Sequence, residues 1–404
     1  NPCTIVYDKT AASAPITSWK DMWNPEWKGR IAWPDGLGAE GISALMMTAK
    51  AWDIPMEDFD AIVEKVKELK PFAGIQSSQA QLFDMLDQNI ADLSVDRARA
   101  AMRATGWPEE QTSATSPAKA LATGATFLTD DAGLLINAGG LEVIIEATGD
   151  PEAGIRHALA AIDRGRHIIM VNVEADVLAG PLLADKARQA GIVYSMAYGD
   201  QPALICEQVD WARTAGFEVV AAGKGTLYMP EFHALTPETV WGHYGISPER
   251  AKESGLNPKM FNSFLDGTKS GIEMAAVANA TGLTPAPGGL TFPPCPADEL
   301  AATLIPEVDG GTLHHKGQVE VISSRGRDGK DLIGDLRWGV YVTFEAPSDY
   351  VERCFADYGL ITDPSGRYSA LWRPYHLIGL ELGVSVAMAV LRGEPTGGSR
   401  NFVA

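Results

Sequence analysis

Apolar positions along this chain follow two rhythms. Between residues 56 and 69 they fall at Phe59, Ile62, Val63, Val66 and Leu69, the spacing of one helical face. Around that helix the pattern predicts a short helix capped by Thr17 or Ser18, a strand over 30–33 and a helix over 42–52. A third helix opens at Ser77-Ser78-Gln79. From residue 90 onward, short apolar runs alternate with longer stretches of helical spacing. A strand tail is predicted at Ile90-Ala-Asp92-Leu-Ser94 and further strands over 125–128, 141–147, 167–173, 192–196 and 217–222, with helices over 95–105, 151–164 and 180–190. Such alternation is the mark of an α/β protein, a parallel sheet with crossover helices. The apolar run 376–391 carries Glu381 in its middle and is shorter than the ~20 residues of a membrane span, so it predicts a core helix.

The rhythm changes near residues 88–92, as if one domain stopped and another began partway through. A chain of 404 residues suggests two or three domains. The net charge of −19 argues against a nucleic-acid or anionic-membrane partner, both of which need a positive face. Cys3, Cys206, Cys295 and Cys354 are too scattered for a zinc ribbon or a disulfide framework. No signal-peptide pattern opens the chain, which predicts a cytoplasmic protein.

Candidate chemistry clusters after predicted strands. Asn172, Glu174 and Asp176 follow one of them, where open α/β sheets bind ligands. Two carboxylates and an amide there suit a hydroxyl or a divalent metal, or simply the cap of the next helix. Lys224, between Gly223 and Gly225, suits a phosphate, a carboxylate or proton transfer to a carbonyl oxygen; the plain alternative is an exposed turn lysine. Asp266, Lys269 and Glu273 share a helix face if a helix starts near Asp266, either as an ion-pair network or as a substrate site, with Asn279 off to one side. Arg373 and His376 lie at an expected helix start, where His376 serves substrate, capping or packing. His314 and His315 are adjacent and point apart, so they read as loop. Gly36-Leu-Gly38-Ala-Glu-Gly41 has the form of a dinucleotide fingerprint, but Pro34-Asp35 separates it from its strand and a helix follows where an acid-ended strand is needed.

Two resemblances sharpen this. The run Ile16-Thr-Ser-Trp-Lys-Asp-Met-Trp-Asn-Pro-Glu-Trp-Lys-Gly-Arg-Ile-Ala-Trp-Pro-Asp35 resembles bacterial extracellular solute-binding proteins of the polyamine type. That likeness implies a fragment of one lobe over 1–89, with Asp35 and the serine turn at Ser77 facing a cleft. Residues 90–404 resemble the homoserine-dehydrogenase-like oxidoreductases that include the DXR-like reductoisomerase, an alternative 1-deoxy-D-xylulose 5-phosphate reductoisomerase. The motifs are Val143-Ile-Ile-Glu-Ala-Thr-Gly149, Met170-Val-Asn-Val-Glu-Ala-Asp176, Ala221-Ala-Gly-Lys-Gly225, Phe264-Leu-Asp-Gly-Thr-Lys269, Glu273-Met-Ala-Ala-Val-Ala-Asn279 and Arg373-Pro-Tyr-His376. The family's first strand, glycine turn and helix, and its closing SAF domain, have no counterpart here.

The resemblance implies a Rossmann-type parallel sheet over 90–225 missing its first β-α unit, then an α+β substrate and dimerisation domain over 226–404. It further implies a homo-oligomer using NAD(P)H on a small polyol-derived carbonyl compound. Asp92 would accept from a ribose hydroxyl and favour NAD, with Arg97 and Arg99 arguing the other way. Ala147, Thr148 and Gly149 would contact the cofactor. Lys224, Glu174, Lys269 and Asn172 would form the catalytic set, and Asp176, Asp266, Glu273, Asn279, Arg373 and His376 would line the substrate. Without its own glycine turn the chain is expected to hold cofactor weakly, unless the strand, loop and helix of 31–52 fill the vacant place in the sheet. The alternatives are a solute-binding fragment and a fusion product without selected function.

Overall fold

The computed structural model describes residues 16–28, 31–34, 39–56, 58–70, 74–76, 89–253 and 256–400. Asp35, the glycines at 36 and 38 and the expected helix at Ser77 lie outside these described residues. Contacts divide the chain into two units, Asn1–Asp130 and Asp131–Ala404.

In the first unit the elements are β1 (Ala32–Pro34), α1 (Ala39–Ala51), α2 (Phe59–Lys67), β2 (Gly74–Gln76), β3 (Asn89–Ala91), α3 (Val95–Ala104), α4 (Pro117–Thr123) and β4 (Phe127–Thr129). Ser18 caps a turn of 3₁₀ helix at Trp19–Trp23, and Asp21 answers it in a capping box. Asp58 caps α2, whose apolar stripe sends Ile62 and Val66 inward; Val66 packs with Met22, Ala44 and Leu69. β1 pairs in parallel with β2, and β3 in parallel with β4. These are separate two-stranded sheets, so among the described residues β1 does not take the place beside β3.

The second unit opens with α5 (Ala132–Ile136), β5 (Val143–Glu146), α6 (Pro151–Asp163), β6 (His167–Met170), α7 (Val173–Gln189), β7 (Tyr194–Met196) and α8 (Gln201–Thr214). Its three strands form a parallel sheet in the order β5-β6-β7, the architecture that the alternating pattern implies. There follow β8 (Glu218–Thr226), α9 (Trp241–Tyr244), α10 (Pro248–Glu253), α11 (Pro258–Leu265), α12 (Thr268–Thr281), α13 (Leu300–Thr303), β9 (Gln318–Ser323), β10 (Val340–Glu345), α14 (Asp349–Asp357), β11 (Tyr368–Arg373) and α15 (Leu382–Ala387). A second sheet runs β11-β10-β8-β9, with β8 parallel to β9 and antiparallel to β10. Both its faces are covered, as the strand period of two requires. Val219, Val340, Val342 and Phe344 pack with Leu204 and Val277 of α8 and α12, whereas Val220 and Tyr341 pack with Leu300, Leu304 and Leu313. The chain is thus a mixed α/β protein, and among the described residues no helix is long and apolar enough to cross a membrane.

Three expected elements differ. The helix expected from 180 begins at Val173, because Asn172 caps it. The strand expected to end at 222 runs on to Thr226 and takes Lys224 inside. The run 376–391 is not one core helix. Pro374 and the left-handed Gly379 (φ +85°) delay the helix to Leu382, and Leu377, Ile378 and Leu380 stay exposed.

Candidate functional site

The carboxyl ends of β5, β6 and β7 each feed a helix through a short turn. After β5, Ala147, Thr148 and Gly149 are exposed, and Gly149 adopts φ +68°, which lets the chain reverse into α6. After β6, the buried Asn172 binds two turns together. Its Oδ1 accepts from Ala175 N at 3.1 Å, while its Nδ2 donates to Thr148 Oγ1 at 3.2 Å and to the Asp150 carbonyl at 2.8 Å. After β7, Asp200 caps α8, accepting from Gln201 N at 2.9 Å.

Helix α12 packs against α7 and α8, its Ala276 and Ala280 clustering with Val173, Ala203 and Met196 at the end of β7. Lys269 and Glu273, one turn apart, present the same face. Lys269 Nζ donates to Glu174 Oε1 on α7 at 3.3 Å, and Glu273 receives a hydrogen-bonded ion pair from Lys224 on β8. Lys224 and Glu273 are only 7% and 4% exposed, whereas Lys269 and Glu174 are more open. Gly223 and Gly225 do not form a phosphate turn around the lysine. A side chain on either would collide with a neighbouring backbone carbonyl, that of Glu320 or that of Leu336.

Electrostatically the site alternates in sign. Burial works to lower the Lys269 ammonium, but Glu273, Glu174 and Asp200 together hold it above the usual lysine range. Burial, reinforced by the charge of Glu273, pushes Asp200 up to about 6 against the pull of Lys269, the Gln201 N–H and Lys224. Among the described residues, no three His, Cys, Asp or Glu side chains converge to hold a metal.

The other expected site residues have partners within the chain. Asp176 is buried, its two oxygens accepting from Tyr194 Oη and Ser399 Oγ, both at 2.9 Å. Asp266 precedes α12 and is not on its Lys269 face, because that helix starts at Thr268. Its carboxylate accepts from Asn262 Nδ2 and Thr268 N, each at 2.8 Å. Asn279 is fully buried and donates to the Val177 carbonyl at 3.4 Å. Arg373 pairs with Glu381 at 2.5 Å, and His376 Nδ1 donates to the Trp338 carbonyl at 2.8 Å. Between them, the Leu377 carbonyl packs against Gly199, beside Asp200. Asp92 belongs to the first unit, where Arg97 Nη2 clasps both its oxygens at 2.9 and 3.1 Å.

Sequence reading missed Asp200. An acid before Gln201-Pro202, just past an apolar strand, is a helix-start signal that could have found it. It also missed a Tyr228–His233 pair. His233 Nδ1 donates to the Asp266 carbonyl at 2.8 Å, so neutral Nε2 accepts from Tyr228 Oη, also at 2.8 Å.

Residues 199–382 match the family model described as the catalytic domain of oxidoreductase DRL. Asp200, Lys224, Lys269, Glu273, Arg373 and His376 fall inside that match, which covers less than half of the chain. Among curated proteins none matches. Of solved structures, an oxidoreductase domain protein from Kribbella flavida is 18% identical at a TM-score of 0.26, over 39% of this chain and 38% of its own. The chain therefore spans little more than a third of that protein's length. The 1-deoxy-D-xylulose 5-phosphate reductoisomerase from Zymomonas mobilis, in complex with NADPH, is 16% identical at a TM-score of 0.31, over 79% of this chain and 67% of its own. At such TM-scores these likenesses assign no residue.

Proposed function

We propose that the second unit carries nicotinamide-dependent oxidoreductase chemistry on a small polyol-derived carbonyl compound. The observation behind this reading is the linked pair of ion pairs, Lys269–Glu174 and Lys224–Glu273, gathered at the carboxyl ends of parallel strands where α/β sheets take their ligands. The family match supports the oxidoreductase class.

The exposed turn Ala147-Thr148-Gly149 has small side chains and a geometry fixed by Asn172, which fits the flat end of a nicotinamide. A nicotinamide bound there supplies or accepts the hydride. Lys269, the more open lysine, stabilises negative charge growing on the substrate oxygen, a role whose loss elsewhere costs about 100- to 1,000-fold in kcat. Lys224 acts from behind, its charge reaching the site beside Glu273. Glu174 orients Lys269 and accepts from substrate hydroxyls.

The test combines calorimetry of the full chain with NADPH and NADH and a hydride-transfer assay on a panel of small hydroxyketones. Saturable binding and turnover that falls about 100-fold in Lys269→Met are expected. A folded chain that binds neither nucleotide would overturn the reading, and full turnover by Lys269→Met would remove Lys269 from it.

A further inference from the structure

We propose that Asp200 is the acid that delivers the proton to the substrate oxygen, an assignment that rests on the functional reading above. Asp200 stands at the carboxyl end of β7, the third strand of the parallel sheet, and is partly exposed. One oxygen is committed to the Gln201 N–H, and among the described residues no lysine or arginine lies within ion-pair distance of the carboxylate.

The neighbouring acids are engaged otherwise. Glu273 holds Lys224, Glu174 holds Lys269, and Asp176 has both oxygens hydrogen-bonded in the interior. Lys269, held charged by its three acidic neighbours, serves as a fixed positive charge and does not donate. From the C-terminal segment, the Arg373–Glu381 pair flanks the Tyr198-Gly199 turn, and Tyr198 Oη donates to Glu207 at 2.8 Å. Burial lifts both Asp176 and Asp200 to about 6, but Asp176 is enclosed in the interior whereas Asp200 is partly exposed and keeps one oxygen uncommitted.

A small cavity lies next to it. Asp200, Asp176, Met170, Met196 and Pro202 line a cavity of about 10 Å³. That is the room of one water molecule, with carboxyl groups for it to bond. In the reducing direction hydride forms the new C–H bond at the carbonyl carbon. The C=O π electrons move to oxygen, and the Asp200 Oδ–H bond breaks as its proton passes to that oxygen. The carboxylate left behind is reprotonated from water. In the oxidising direction Asp200 enters as carboxylate and takes the alcohol's proton.

Asp200→Asn in the full chain tests this, because the amide oxygen still accepts the Gln201 N–H and keeps the cap. Reductive turnover should fall by about 100- to 1,000-fold, and the limb of the kcat–pH profile near pH 6 should vanish, with nicotinamide binding by calorimetry no weaker than in the unmodified chain. Retained turnover with the limb intact would overturn the role of Asp200 while leaving the functional reading standing. Failure of the unmodified chain to bind nicotinamide would overturn that reading instead, and the role with it. A second measurement needs no turnover: carboxyl ¹³C titration of aspartate-labelled chain, with the resonance assigned by its loss in Asp200→Asn. A midpoint near 6 supports the assignment; a midpoint in the ordinary aspartate range refutes it.

Discussion

Lys224 and Glu273 face each other in the interior, each neutralising a charge that the surroundings would otherwise have to solvate. A buried pair of this kind adds little net stability relative to apolar side chains, but removing one partner strands the other. Glu273→Gln should therefore destabilise the chain by about 3–5 kcal/mol in chemical denaturation, and Lys224→Met combined with Glu273→Leu by clearly less. Equal losses from the two would show that packing, and not the stranded charge, sets the cost. Asp176 makes a different prediction. Burial raises it from 3.8 to about 6, with Ser399 and Tyr194 pulling the other way. Below pH 4 it is protonated folded and unfolded, and costs nothing. As pH rises from about 4 to about 6 the unfolded chain loses its proton first, so stability falls, and above that the cost is constant. Asp176→Asn should flatten this part of the Tm–pH curve and stabilise the chain at pH 7 by up to on the order of 3 kcal/mol. A variant with an unchanged slope between pH 4 and 6 would show that the carboxyl titrates normally.

At the level of elements, α7 shows how one irregularity fixes a residue far away. Pro181 lies inside the helix and has no N–H for the Val177 carbonyl four residues back. Asn279 of α12 donates to that carbonyl at 3.4 Å. Its burial is thus a repair of the helix, and a substrate contact is not needed to explain it. Asn279→Ala should cost about 1–3 kcal/mol, and less when Pro181→Ala restores the missing donor. A double-mutant cycle with no coupling would sever the two. This link explains much of what the sequence could and could not disclose. Local signals placed α3 and α6 to within a residue, because caps and apolar spacing are local. Gly223 and Gly225 read as a turn, since only the packed backbones of Glu320 and Leu336 show why a strand needs them. The pairs Lys224–Glu273 and Lys269–Glu174 join residues 49 and 95 apart, and no periodicity carries that information. Residue types at the site were legible; their partners were not.

For the whole molecule the open question is how a dinucleotide would be held. Helix starts bind pyrophosphate through unpaired N–H groups and the positive end of the dipole. In the second unit the three helices that follow the parallel strands are capped from within. Asp150 accepts from Ala153 N at 2.7 Å, Asn172 from Ala175 N and Asp200 from Gln201 N. Two of these caps bring a negative charge to the place where phosphate would sit. Among the described residues of the first unit, β1 is paired with β2 and not with β3. Nicotinamide dinucleotides should therefore bind with dissociation constants weaker than the low micromolar range, and calorimetry giving low micromolar values would contradict this account. The cap charge itself can be tested. Asp150→Ser keeps a capping oxygen but removes the charge at the start of α6, beside Ala147-Thr148-Gly149. A charge at a helix end is worth roughly 0.3–1 kcal/mol, so NADPH affinity should rise by about two- to five-fold with little change in Tm. Unchanged affinity in that variant would mean that the phosphates do not approach α6, and the cofactor would have to enter the site from another side.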